Sequence, residues 1–262
     1  MSTAAMHVAK TGLNAQQFKM QVIANNLANV NTTGFKRDRA NFETLFYQVV
    51  KEAGAETADN TALTSPLAVG TGVKVVSTQK LFTQGGLVST DNSLDLAIDG
   101  SGFFQALMPD GSIGYTRAGA FSRNADGLMT TSSGYVIQPQ VEIPEDATNI
   151  NIAANGSVSV TVPGTDFAEE VGTISLANFG NPRGLLPIGQ NFLKESTASG
   201  QPQVGAPLDG GFGSLIQGFV EGSNVNVVQQ LVDMIETQRA YEVSSKSITA
   251  VDEMMRYISN NL

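Results

Sequence analysis

Apolar residues recur every seven positions at both ends of this chain, and the middle lacks that period. Over residues 6–30, Met6, Leu13, Met20 and Leu27 are seven apart, and Ala9, Gln16, Ile23 and Val30 follow three behind. At the other end Val227, Met234, Tyr241, Ile248, Met255 and Leu262 keep the same step. Such a repeat is the seam of a coiled coil, here with one polar interruption at Gln16. No proline interrupts 224–262, which predicts a helix of about 35 residues, roughly 50 Å long. Asn226 is its expected N-cap, with Gln229 three residues on in the manner of a capping box. Glu242 with Lys246, and Asp252 with Arg256, are i,i+4 pairs in the favourable order, about 0.3 kcal/mol each.

Between the ends the pattern changes to strands and turns. Residues 73–75 and 94–98 alternate apolar with small or polar side chains. "PDG" at 109–111, "NADG" at 124–127 and "NG" at 155–156 are turn signals. The last separates Ile150 and Ile152 from Val158, Val160 and Val162, which predicts a hairpin. Two low-signal stretches flank this region: 51–72 is polar and aperiodic, and 196–213 is rich in Gly, Pro and Ser. The expected class is therefore α+β and multidomain, with N- and C-terminal helices pairing as a coiled coil and a central mainly-β domain. The expected boundaries are 1–34 with 222–262 for the helical part, 35–72 with 196–221 for an extended connector, and 73–195 for the β-rich outer domain.

Each terminal helix carries a second apolar stripe. At ~100° per residue, Val8, Ala15, Phe18 and Val22 fall nearly opposite the first seam, followed by Asn25, Asn26 and Asn29. On the C-terminal helix Val228, Val232, Ile235, Val243, Ala250 and Tyr257 lie off the Met234–Met255 seam. A surface helix of a monomer carries one apolar stripe. A two-helix pair cannot bury two stripes on each member, so the excess calls for other copies or another protein. The asparagines of "ANNLANVNTTGFKR", 24–37, are expected on that outward stripe, where amides can fix the register of a neighbouring chain. After them Gly34 is expected in a left-handed conformation near a C-cap, with Phe35 folding back as its hydrophobic contact. Lys36 and Arg37 are expected to complement the negative end of the helix dipole.

The totals exclude several classes of function. The chain has 262 residues, enough for a real core, and a net charge of −9. A nucleic-acid binder needs a basic stripe, and the sequence shows none. The acidic balance also disfavours anionic membranes. There are no cysteines, which removes disulfides, thiol nucleophiles and Cys-ligated zinc. No apolar run approaches the length of a membrane span, and residues 1–11 lack the apolar core of a secretory signal. The single histidine, His7, makes a Ser-His-Asp triad or a two-histidine metal site unsuitable readings. Asp91, Asp95 and Asp99 are spaced by four, whereas a calcium loop needs a spacing of two. The G-x-G pairs at 70–72, 100–102 and 211–213 lack the third glycine of a dinucleotide fingerprint. Glu142, Glu145 and Asp146 would supply a wall hydrolase with carboxylates, but no aromatic platform for a sugar lies nearby. No cofactor and no metal are expected.

The motifs also carry a resemblance. "ANNLANVNTTGFKR" resembles the signature of the flagellar rod and hook axial proteins of bacteria. "EGSNVNVVQQLVDMIETQRAYEVSSKSI", 221–248, resembles that family's second hallmark. "AKTGLNAQQ" at 9–17, "FETLFYQVVKEAGAE" at 42–56 and "NSLDLAIDGSGFFQALMPDGSIGYTRAGAFSRNADGLM" at 92–129 are similar to the distal rod branch of the family. The resemblance implies a non-enzymatic structural subunit that polymerises into a helical tube, the drive shaft from motor to hook, enclosing the export channel. It implies as partners other copies of itself, proximal rod proteins, the hook protein, ring bushing proteins and the flagellar type III export apparatus, with no membrane insertion. It implies a place in the basal body across periplasm and cell wall, reached without a cleavable signal peptide. The expected subunit-interface positions are Phe18, Val22, Asn25, Asn26, Leu27, Asn29, Gly34, Phe35, Asn224, Val228, Ile235, Tyr241, Ile248 and Met255. Alternatives are a proximal rod or short hook protein, or a soluble wall-carbohydrate-binding protein with a helical stalk.

Overall fold

A computed structural model describes residues 2–53, 56–58, 61–62, 64–163 and 167–260. Leu262, the last position of the C-terminal heptad, lies outside the described residues. The chain divides into two compact units. One combines Met1–Leu27, Asp38–Gln79 and Asn226–Leu262; the other combines Ala28–Arg37 and Lys80–Val225.

The first unit holds both long helices, α1 (Ser2–Ala28) and α2 (Val227–Asn260). Asn226 caps α2 as expected, its Oδ1 accepting from the Gln229 N–H at 3.1 Å. The reciprocal half of the capping box is not made, because the Gln229 amide donates to Asp233 instead, at 2.9 Å. Asp252 and Arg256 form the expected pair at 3.1 Å. Beside the helices, strand Asp38–Thr44 pairs with Val73–Lys80, and Tyr47–Lys51 pairs antiparallel with Leu67–Gly70.

The two helices touch, and they run antiparallel. Asn26 bonds to Gln230, and Gly12 lies against Ser244. Stepping back 14 residues on α1 matches stepping forward 14 on α2, two heptads or about 21 Å of helix. On α2 the inward positions Gln230, Thr237, Ser244 and Val251 are buried or half-buried and lie seven apart. On α1 the buried side chains are Ala15, Ile23 and Asn26. On α2 the heptad period is thus present with a phase that differs from the one drawn through the most apolar residues, whereas on α1 Ile23 is buried where the seam was expected and Ala15, expected on the outward stripe, is buried too. Val227 and Tyr241, placed in the seam from sequence, are exposed.

The second unit is β-rich. Its largest sheet has seven strands in the order Phe121–Arg123, Met129–Thr131, Val136–Gln138, Phe104–Leu107, Ile113–Thr116, Phe192–Lys194 and Leu186–Gly189. Strand Leu96–Asp99 pairs with Ser214–Gln217, and Leu96, Ala97 and Ile98 are all buried. The expected alternation at 94–98 therefore gives way to a strand covered on both faces. The hairpin expected about "NG" forms, with Ile150 opposite Val160 and Ile152 opposite Val158, and a third strand, Glu169–Thr173, extends it. Gly156 takes φ +90°, and a Cβ there would lie 2.4 Å from the Ile174 carbonyl oxygen. The core runs through Leu96, Phe104, Met129, Ile137, Val158 and Leu176. A satellite cluster stacks Phe103 and Tyr115 edge-on against Phe179, with centroids 5.9 and 4.8 Å apart. The low-signal stretch 196–213 carries a strand, Gln203–Gly205, paired with Leu176–Asn178.

Candidate assembly surface

Asn26 is the most constrained of the asparagines. It is 2% exposed, at the inner side of α1. Its Oδ1 accepts from the Asp38 N–H at 2.8 Å, and its Nδ2 donates to the Asp38 carbonyl at 2.8 Å and to Gln230 Oε1 at 3.0 Å. The amide thus stands in for a strand backbone, holding the first residue of Asp38–Thr44, and also ties α1 to α2. The sequence expectation of an outward amide is corrected at this position. Asparagine is selected here because a flat amide offers a donor and an acceptor side by side. Asn25 is exposed and Asn29 half-buried.

The "TGFKR" motif is corrected in the same sense. Gly34 does take the expected left-handed conformation, but α1 ends at Ala28, so it is no C-cap. Its φ of +68° instead admits a close approach: a Cβ would lie 2.4 Å from the Ala118 N, while its N–H donates to the Glu221 carbonyl at 2.7 Å. Phe35 is buried, with Lys80 Nζ 5.2 Å from its ring centroid. Asn224 is likewise occupied within the chain. It donates to the carbonyls of Leu81 and Thr83 at 2.7 and 3.0 Å and accepts from the Arg37 N–H at 2.8 Å. Gly34, Phe35 and Asn224 therefore serve the second unit's own folding.

Lys36 does not serve the helix dipole either. It enters a buried ion cluster with Glu221 and Arg117. Glu221 Oε1 accepts from Lys36 Nζ and from the Gly85 N–H at 2.8 Å, and Oε2 from Arg117 Nη1 at 3.3 Å. Lys36 Nζ also donates to the Thr83 carbonyl at 2.8 Å, and Arg117 Nη2 to that of Gly100 at 2.8 Å. Two cations share one carboxylate, and Arg117 Nε has no hydrogen-bond partner among the described residues. Desolvation lowers the pKa of Lys36, against the pull of Glu221; burial lowers that of Arg117 in the same way. Sequence reasoning missed this cluster. The signal was a lysine, an arginine and a glutamate, each inside a different motif at 24–37, 92–129 and 221–248, and distance along the chain hid the pairing.

The remaining interface candidates stay at the surface of the first unit. Val228, Ile235 and Tyr241 are exposed, Val228 to 72%, while Phe18, Val22, Leu27, Ile248 and Met255 are half-buried. Val243 and Tyr257 are 64% and 74% exposed. α2 thus turns polar or small residues inward and leaves much of its apolar surface outward. The ribbon Tyr47–Lys51 with Leu67–Gly70 exposes Tyr47, Val49, Val50, Leu67 and Val69, next to Phe46 at 92%. An isolated two-stranded ribbon is marginal in water, and apolar faces of this extent mark contact sites. Among the described residues no group of three or more acidic, histidine or cysteine side chains forms a metal cluster. No described helix is long and apolar enough to cross a membrane.

Both terminal helices overlap segments shared with known proteins. The family model described as flagella basal body rod protein matches residues 6–36, and that of the FlgE/F/G hook protein D1 domain matches 97–160. The C-terminal model of the basal body rod FlgEFG proteins matches 216–262. The class is thus that of the flagellar hook and rod proteins. The flagellar basal-body rod protein FlgG of Buchnera aphidicola from Acyrthosiphon pisum is 51% identical, over 97% of this chain and 98% of its own. The FlgG proteins of Agrobacterium fabrum and Bacillus subtilis are 44% and 36% identical, over 98% and 95% of this chain and 99% and 96% of theirs. The chain belongs to the FlgG family of flagellar basal-body rod proteins.

Proposed function

We propose that this chain is a structural subunit of the flagellar distal rod, polymerising into a helical tube that transmits torque from motor to hook and encloses the export channel. One observation carries the proposal: α2 keeps Gln230 and Thr237 inward and Val228, Ile235 and Val243 outward. Such a helix leaves its hydrophobic burial to neighbours. Phe18, Val22, Asn25, Leu27, Asn29, Tyr241, Ile248 and Met255 complete the proposed contact set, with the terminal helices forming a coiled-coil layer around the axis. Head-to-tail contacts whose rotation does not close generate a filament. The connector 51–72 lies between layers on this proposal and resists bending.

Its partners are then copies of itself, the proximal rod, hook and ring bushing proteins, and the type III exporter. Its place is the basal body across periplasm and wall, reached without a cleavable signal peptide. It works by rigidity, as a non-enzyme without cofactor, nucleic acid or membrane insertion. Concentrated protein is expected to give filaments in negative-stain micrographs. Val243→Asp is expected to abolish them while leaving the melting of the β-rich unit unchanged. Absence of filaments from the unsubstituted chain over a range of salt and concentration would falsify the proposal.

A further inference from the structure

The β-rich unit carries a groove of about 580 Å³ that its own packing leaves open. Phe35, Pro187 and Phe192 give it apolar walls, while Ser133, Gln190 and Asn191 supply polar edges. This mixture of an apolar floor with a few polar groups suits an inserted side chain. One rim is Leu186–Gly189, an edge strand of the seven-stranded sheet, with Leu186 and Ile188 exposed. Among the described residues the groove's one charged lining side chain is Lys80, whose Nζ also donates to the Lys36 carbonyl at 3.5 Å.

Elsewhere in the same unit stands a matching projection. Phe167 is 84% exposed, just before strand Glu169–Thr173, itself an edge strand of its sheet. Glu169 and Glu170, both exposed, follow it within three residues. A large side chain seated in a desolvated pocket is a common anchor of an interface.

We propose that the groove receives Phe167 of a second copy of this chain, with Glu169 and Glu170 of that copy lying toward the cationic Lys80 side. Knob and groove occupy different places on one surface, so the contact is heterologous and propagates rather than closing into a dimer. It adds an outer-layer contact to the helical one. The inference rests on the filament reading above, and commits it to a particular pair of surfaces.

The chain has no native cysteine, so site-directed cross-linking tests it directly. Ala168→Cys and Ser133→Cys are both at exposed positions, one beside the knob and one in the groove. Mixed under assembly conditions and oxidised, they are expected to give a disulfide-linked dimer. Phe167→Ala is expected to raise the concentration needed for filaments about tenfold, the loss of one good anchor. Its thermal unfolding should not change, because Phe167 packs on nothing buried. Filaments without the mixed dimer, and with Phe167→Ala assembling as the parent does, overturn the groove contact and leave the rod proposal standing. A dimer from Ala168→Cys on its own also overturns it, because that contact is symmetric. No filaments from the parent chain overturn the rod proposal and this inference together.

Discussion

At the scale of single residues, the buried ion cluster makes opposite demands of its members. Glu221 is fully buried and touches two cations, so removing its charge strands both. Breaking a buried pair from one side costs about 3–5 kcal/mol when it leaves a charge uncompensated; loss of Lys36 still leaves Glu221 paired with Arg117. Glu221→Gln is therefore expected to destabilise the β-rich unit severely, and Lys36→Met to do so little. Lys36 also fixes a pH dependence. Its folded pKa lies below the unfolded 10.5, so between those values the unfolded chain binds more protons at this side chain. Stability from Lys36 thus rises as pH rises through that window. Melting curves should show the unsubstituted chain gaining on Lys36→Met as pH climbs toward about 10. Tyr115, whose phenol burial raises its pKa above 10.0, contributes with the opposite sign only at higher pH. A gap between the two chains that stays flat would show that Lys36 is not held charged and desolvated.

At the scale of elements, the helices, their cap and the "NG" hairpin were legible because their signals are local. Periodicity, an N-cap side chain and a two-residue turn each act within a few positions. The phase of the helix pair was not legible. Apolar residues mark a face that wants cover, and in α2 that face is turned outward while Gln230, Thr237 and Ser244 turn in. A hydrophobicity pattern cannot tell burial within a chain from burial between chains. The strand Leu96–Asp99 was misread for the related reason that cover on both faces removes alternation. Asn26 shows what distance in sequence conceals, since its partner Gln230 is 204 residues away. Asn26→Leu removes the hydrogen bonds to the Asp38 N–H and carbonyl and to Gln230 Oε1. A buried polar group that loses its hydrogen-bond partner costs about 1–3 kcal/mol. The expected result is faster hydrogen exchange at Asp38 and a lower melting point for the helical unit. Unchanged exchange there would mean that the amide bridge contributes nothing to holding the strand.

At the scale of the whole molecule, two units with different kinds of cohesion share one chain. The β-rich unit has a dry core of its own, from Phe104 to Leu176, and a second aromatic cluster. The helical unit exposes Val228, Val243, Tyr257 and Phe46. Association that buries those faces stabilises only the unit that carries them. Calorimetry is expected to show one transition that holds its temperature as protein is concentrated and a second that climbs with concentration. Two transitions that both ignore concentration would argue against neighbours as the source of helix stability. The candidate contact surface was legible from sequence as an excess of apolar stripe. The roles of Gly34, Lys36 and Asn224 were not, because each is decided by a strand or loop far along the chain.

The polar lining between α1 and α2 has one more consequence. Glutamine, threonine and serine give the two helices an aligned but weakly adhesive meeting, too little to fuse them prematurely. On the filament reading proposed above, such a pair stiffens only where neighbouring subunits cover its outward apolar faces.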